Sequence, residues 1–351
     1  MLENQGPSRP IPPRSVVALL MGFSLAGACI VMAGHRPASA DDDRGPSADN
    51  PLAELATLEY RPLAPVEGRL RLSGSSSLEQ AAAFWAEGFM RIHPAATVSL
   101  DRTSTDAGWR ALLDGSADVA LLSRPYSAAE TEAAFNDGRR PVVIPVAFDQ
   151  LNWIVHESNP VASLPWSPAS GILPGPHGPQ REGPPTWGRW VAEPDWAIVP
   201  VTVHAPGDGS GSRWHLEKLL GGRAAWTGEI RDVASIADVA EAVAADRGGL
   251  GLVGVAAASR AGLRRVPLDL PADARPPEDA VPGSERTPDF RPLFVGVMVP
   301  VEGDWPAPVR EFIGYLLSFP GQLDVAKDGL MPLTRGEIHA QQERLGQPVE
   351  R

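Results

Sequence analysis

The sequence predicts an α/β fold with a largely parallel sheet, and three observations carry that prediction. From Arg69 onward, short apolar segments with strand periodicity alternate with amphipathic segments at helical spacing. Several strand ends run directly into helix starts through turns of Ser, Thr and Gly. The chain has 351 residues, 43% of them apolar and 21% charged, enough for two ordinary soluble domains.

The elements follow in order. "RLRLS" opens the pattern as a strand, with Leu70 and Leu72 alternating against Arg69, Arg71 and Ser73. Leu78, Ala82, Trp85 and Phe89 then recur on one helical face, predicting a helix over 77–91. Trp85, Phe89 and, on the next helix, Trp109 belong to the core. Ser76 with Glu79, and Ser77 with Gln80, fit the pattern that caps a helix start. "TVSLD", a helix over 105–114, "DVALLS" and a short helix opened by Ser127 and Glu130 follow. Two further strands, "PVVIPVAFD" and "LNWIVH", precede a Pro/Gly-rich stretch, "NPVASLPWSPASGILPGPHGPQREGPP", in which long regular elements are not expected. "WAIVPVTVHAPG" reads as a strand and "SRWHLEKLLGG" as a helix stopped by Gly221 and Gly222, with His215 on its surface. "DVAEAVAADRGGLGLVGVAAA" gives helix, glycine turn and buried strand. A second Pro-rich stretch, 271–292, precedes the strand "LFVGVMV", and the amphipathic helix "APVREFIGYLLSF" follows it.

Bulk charge excludes several classes. The net charge is −12 and the pI near 5.1, which argues against general nucleic-acid binding. No Walker loop, Rossmann fingerprint or zinc spacing of Cys and His occurs, so neither cofactor nor metal is expected. At the N-terminus, Arg9 and Arg14 precede the apolar run "SVVALLMGFSLAGACIVMAG", and "ASA" at Ala38–Ala40 is followed by "DDD". Residues 1–40 therefore read as an export signal. Cys29, the single cysteine, allows lipidation instead, and the run is also long enough to stay as an anchor. Each version places the folded part outside the cytoplasmic membrane, in the periplasm or an equivalent extracytoplasmic space, without disulfides. Residues 41–67, acidic and then Pro-rich, read as a flexible linker.

Four strand-to-helix turns carry the chemistry. "SGSSS" holds Ser76 and Ser77; "DRTSTD" holds Thr105; "LLSRP" holds Ser123 and Arg124; "GDGSGSR" holds Ser210, Gly211, Ser212 and Arg213. Unpaired N–H groups at helix starts, hydroxyls and arginines together suit an oxyanion, and strand carboxyl ends are where α/β sheets hold ligands. Taken singly each turn is weak: Asp106 is favoured as a first-turn carboxylate, and Arg124 is equally a salt-bridge partner.

These segments, in this order and together with "TWGRW", "DVAEAVAADRGGLGLVG" and "FIGYLLSFPGQLDVAKDGLMPL", resemble the PstS-like periplasmic phosphate-binding proteins of ABC importers over roughly residues 69–335. The resemblance implies a type II binding-protein fold: two α/β lobes joined by crossing strands, with the ligand cleft between them. Lobe 1 would combine 69–148 with 293–345, and lobe 2 would be 149–292. It further implies a monomer that captures phosphate, or a related oxyanion, for an ABC permease. Ser76, Ser77, Thr105, Ser123, Arg124, Ser210, Gly211, Ser212 and Arg213 would line the cleft. Where some members have an aspartate that accepts the proton of hydrogen phosphate, this chain has Ser123. Pro206 stands where some members have an arginine, so Arg124 and Arg213 would supply the positive charge. An acceptor carboxylate selects a protonated oxyanion, so its replacement leaves room for a receptor or sensor of another anion, or a diverged binding module. Asp106 and Asp208 are the candidate substitutes. Catalysis is not expected: Asp208 stands two before Ser210, where a nucleophile elbow needs Gly, and no His can be assigned as base.

Overall fold

The computed structural model describes residues 51–135, 138–167, 171–172, 184–222, 226–254, 257–270, 281, 284, 286 and 289–346. The export segment, the start of the expected linker and most of the two Pro-rich stretches lie outside the described residues. Among the described residues no helix is long and apolar enough to cross a membrane.

The strands are β1 Gly68–Ser75, β2 Ala96–Thr103, β3 Val119–Leu122, β4 Arg139–His156, β5 Leu164–Ser167, β6 Gly171–Ile172, β7 Thr202–Pro206, β8 Glu229–Val233, β9 Gly249–Gly254, β10 Leu263–Val266, β11 Leu268–Asp269 and β12 Phe290–Pro300. The helices are α1 Pro51–Leu55, α2 Glu79–Ile92, α3 Thr105–Leu113, α4 Ala128–Ala133, α5 Gly211–Leu219, α6 Ile236–Ala244, α7 Ala307–Leu316, α8 Phe319–Lys327 and α9 Arg335–Leu345. The main sheet runs β2-β1-β3-β12-β4-β9-β7-β8, with β10 also paired to β4. β1 pairs in parallel with β2 and β3, and β7 does the same with β8 and β9. Each set is a pair of strand–helix–strand crossovers around a first strand, which packs its helices back onto the sheet. Antiparallel β12 and β4 join the two sets.

β4 merges the two expected strands "PVVIPVAFD" and "LNWIVH" into one of 18 residues. Its first part pairs with β12 and its last part with β9. The apolar packing changes at the same place. Phe148 belongs to a cluster with Trp85, Phe89, Phe312 and Tyr315, which also takes in Val281. Beyond Gln150, Trp153 packs with Trp187 and Trp196 on one face, while its neighbour Ile154 packs with Val239 and Val243 on the other. Successive strand residues point to opposite faces, so one strand serves two cores. Asp149 and Gln150 are the residues between them.

Residues 51–67, expected as a flexible linker, are instead docked. Leu55, Leu58 and Val66 are buried in the first cluster, and α1 packs beside α8 and α9. Three apolar anchors in a polar, Pro-rich stretch are enough to hold it, because each buries a whole aliphatic side chain. His215, expected on the surface of α5, is buried.

Candidate functional site

β1 remains a strand through Ser75, where the chain tightens into a single turn of 3-10 helix before α2. The expected caps at Ser76 and Ser77 do not form. Ser75 Oγ accepts the Ser77 N–H at 3.2 Å, and α2 itself has no side-chain cap. Ser75, the last residue of β1, is buried, while Ser76, the first of the 3-10 turn, is exposed. Ser75, rather than Ser76, therefore joins the interior. Its hydroxyl donates to Ser123 Oγ at 3.2 Å. The Ser123 and Thr105 hydroxyls lie 3.0 Å apart, and Thr105 Oγ1 accepts the Ser123 N–H at 3.1 Å. Three strand ends thus meet in a cluster of three buried hydroxyls.

The fourth turn arrives from the other set of strands. Ser210 caps α5, its Oγ accepting the Arg213 N–H at 3.3 Å. Gly211 then lies against Ser123: a Cβ at this position would fall 2.0 Å from Ser123 Oγ. Only a residue without a side chain permits this approach. Gly209, at φ +83°, is in the left-handed region and brings the turn close to the Asp106 carboxylate.

The two expected arginines are held by carboxylates. Arg124 donates to Asp106 Oδ1 at 2.7 Å and to both oxygens of Glu130 at 2.8 Å. The Arg124 hydrogen bonds hold the Glu130 carboxyl well down, at about 2. Arg213 donates to Glu217 and to Asp232, each at 2.7 Å, and its third nitrogen lies 4.0 Å from Asp208. Asp106 therefore serves as an ion-pair partner for Arg124.

A third arginine, missed in the sequence, occupies the space between the turns. Arg291 on β12 is 2% exposed. Its Nη2 donates to Ser77 Oγ at 3.1 Å and to Asp149 Oδ2 at 2.7 Å, while Nη1 donates to Ser212 Oγ. Its Nε is buried with no hydrogen-bond partner. Asp149 and Arg291 stand directly opposite in the β4–β12 register. One guanidinium thus bridges a hydroxyl from each set of strand ends and is backed by a carboxylate at the point where the two cores meet. The available signal was an Arg and an Asp, each at the end of an otherwise apolar crossing strand. Among the described residues no group of His, Cys, Asp and Glu could hold a metal ion.

Taken together, Ser75, Ser77, Thr105, Ser123, Ser210, Gly211, Ser212, Arg291 and Asp149 form a cluster rich in donors, with one acceptor carboxylate. Hydroxyls rotate to suit a ligand, and a buried guanidinium N–H without a partner favours an acceptor oxygen.

Comparison with known proteins agrees with this architecture. A family model described as a PBP superfamily domain matches residues 60–284. The phosphate-binding protein PstS of Pseudomonas aeruginosa is 26% identical over 78% of this chain and 86% of its own length. Protein SphX of Synechococcus elongatus is 27% identical over 74% of this chain and 76% of its own. Among solved structures, a putative phosphate ABC transporter substrate-binding protein with bound phosphate from Clostridium perfringens superposes with a TM-score of 0.51 at 20% identity. That superposition covers 76% of this chain and all of the other. An ABC-type phosphate transport receptor from Vibrio cholerae gives a TM-score of 0.50 at 18% identity, over 75% of this chain and all of its own.

Proposed function

The chain belongs to the PBP superfamily, and on that premise we propose that it is an extracytoplasmic receptor that captures inorganic phosphate and hands it to an ABC permease. The observation that carries this reading is Arg291, a buried guanidinium with an unpartnered Nε, bridging Ser77 and Ser212 from the two sets of strand ends. The curated relative from P. aeruginosa, named a phosphate-binding protein, supports phosphate as the anion. In this reading 69–148 with 293–345 is one lobe and 149–292 the other, and the lobes close on the anion by bending at β4 and β12. The ligand set is Ser77, Thr105, Ser123, Ser210, Gly211 and Ser212, with Ser76 contributing through its backbone. Arg291 supplies the positive charge at contact, and Arg124 and Arg213 stiffen the turns through their carboxylate partners.

Asp149 fills the acceptor role that Ser123 leaves open. A phosphate oxygen that carries a proton donates it to the carboxylate, whereas sulfate meets the same carboxylate with bare repulsion. The role is capture without bond-breaking: Ser210 Oγ is engaged as the cap of α5. The apolar N-terminal run followed by "ASADDD" supports export.

Calorimetry on ligand-stripped protein tests this. Phosphate should bind micromolar or tighter and sulfate much more weakly. Hydrogen bonds to a charged group are worth about 1.5–3 kcal/mol each, so Arg291→Ala should weaken phosphate by at least about tenfold. Asp149→Asn should narrow the preference for phosphate over sulfate. Absence of heat from both anions sinks the reading, and tighter sulfate reassigns the receptor to an unprotonated oxyanion.

A further inference from the structure

A cavity of about 490 Å³ lies between the N-terminal segment and helices α7 and α9, and shares no residue with the anion cluster. This volume suits a small organic molecule. Leu58, Trp305 and Leu345 contribute apolar wall, and Arg310, Glu311 and Gln342 also line it. Each of these three polar side chains carries a buried atom without a hydrogen-bond partner: Arg310 Nε, Glu311 Oε1 and Gln342 Oε1. Glu311 is 2% exposed. Its Oε2 accepts from Tyr60 Oη and from the Leu63 N–H, both at 3.1 Å. Its Oε1 has only a loose ion pair, 3.5 Å from Arg310 Nη2. A buried carboxylate oxygen without a donor is costly, and so is a buried guanidinium N–H without an acceptor.

The unmet groups are two acceptors and one donor set against an apolar wall. We propose that this cavity is a second ligand site, for a free amino acid with an apolar side chain. The ligand's ammonium donates to Glu311 Oε1 and Gln342 Oε1, its carboxylate accepts from Arg310 Nε, and its side chain packs on Trp305, Leu58 and Leu345. Glu59 and Arg61 at the rim pair with each other at 3.2 Å, which leaves Asp304, Glu311 and Arg310 with one net negative charge. The ammonium is accordingly the better-served end of the zwitterion. An amine lacking the carboxylate should bind more weakly than the amino acid, and a carboxylate lacking the amine more weakly still.

The test is calorimetry on the folded chain saturated with phosphate, using leucine, isopentylamine and 4-methylpentanoate as probes. Leucine should bind, with the amine and then the acid weaker, the acid by at least about tenfold. Glu311→Gln and, as a milder change at the cavity edge, Gln342→Leu should each weaken leucine while leaving phosphate affinity unchanged. Arg291→Ala should leave leucine binding intact, which separates this site from the anion cluster. No heat from leucine or from any other apolar amino acid up to about 10 mM overturns the proposal. Leucine binding that is lost in Arg291→Ala and untouched by Gln342→Leu overturns it equally, by placing the amino acid elsewhere.

Discussion

A guanidinium taken out of water loses several kcal/mol of hydration unless its N–H groups are met again. Arg291 meets that demand through Asp149, Ser77 and Ser212, and its remaining Nε is the group a bound oxyanion would satisfy. His93 shows the opposite balance. Burial lowers its pKa from the ordinary 6.5, and the nearby Glu311 carboxylate only partly opposes the shift. Its Nδ1 accepts the Val66 N–H at 3.3 Å, which requires that nitrogen to be unprotonated. An imidazole with a lowered folded pKa binds fewer protons folded than unfolded. Its contribution to stability is complete above 6.5 and is lost as pH falls through the folded value. Melting temperatures measured from about pH 5 to about pH 8 should rise with pH, and His93→Gln should flatten that slope; an unchanged slope would refute the assignment. At this scale the sequence was only half legible. A run of three serines does not reveal which of them the strand turns inward, and that is decided by where β1 ends. Arg291 lies in a Pro-rich stretch, and its partner is 142 positions away in the chain, so the two polar strand ends were visible but their pairing was not.

At the scale of elements, the contact between the α5 N-terminus and Ser123 rests on the missing side chain of Gly211. Gly211→Ala should weaken phosphate binding by about tenfold or more, because the methyl group must push the helix start off Ser123. The ligand-free melting temperature should not fall beyond the loss of that one contact, since Ala is favoured over Gly in a helix by about 1 kcal/mol. Phosphate affinity equal to the unmodified protein's would show that the approach plays no part in binding. The start of α4 was legible, its Ser127–Glu130 capping box forming as expected, whereas that of α2 was not. The continuity of β4 was not. Pro145, which has no N–H to give, sits opposite Phe294 where the β4–β12 register shifts. Asp149 and Gln150 add polar residues in mid-strand. The expected strand already ran through Pro145, but the polar pair reads locally as a strand end, and only the partners β12 and β9 carry the chain straight through.

At the scale of the whole molecule, the proposed lobes share only β4 and β12 as main-sheet crossings. Bending there should let the anion draw the two halves together. Small-angle scattering should give a smaller radius of gyration with saturating phosphate than with none, and identical curves would rule out closure. The α/β class and the order of the elements were legible because periodicity and turn chemistry are local properties. Residues 51–67 were misread because Leu55, Leu58 and Val66 are too sparse to form a pattern, and their value comes from partners far along the chain, α8 and α9 among them.

The position of β12 has a consequence for how the chain can be assembled. It is the last strand in sequence among the described residues, yet it lies between β3 and β4, and those two strands touch the rest of the main sheet from opposite sides. A chain ending before residue 290 can build β2-β1-β3 and β4-β9-β7-β8 only as two separate sheets. Closure of the sheet must await β12 itself, through contacts of high sequence separation that are slow to form. In the export proposed above, the sheet would be completed only after β12 itself had crossed.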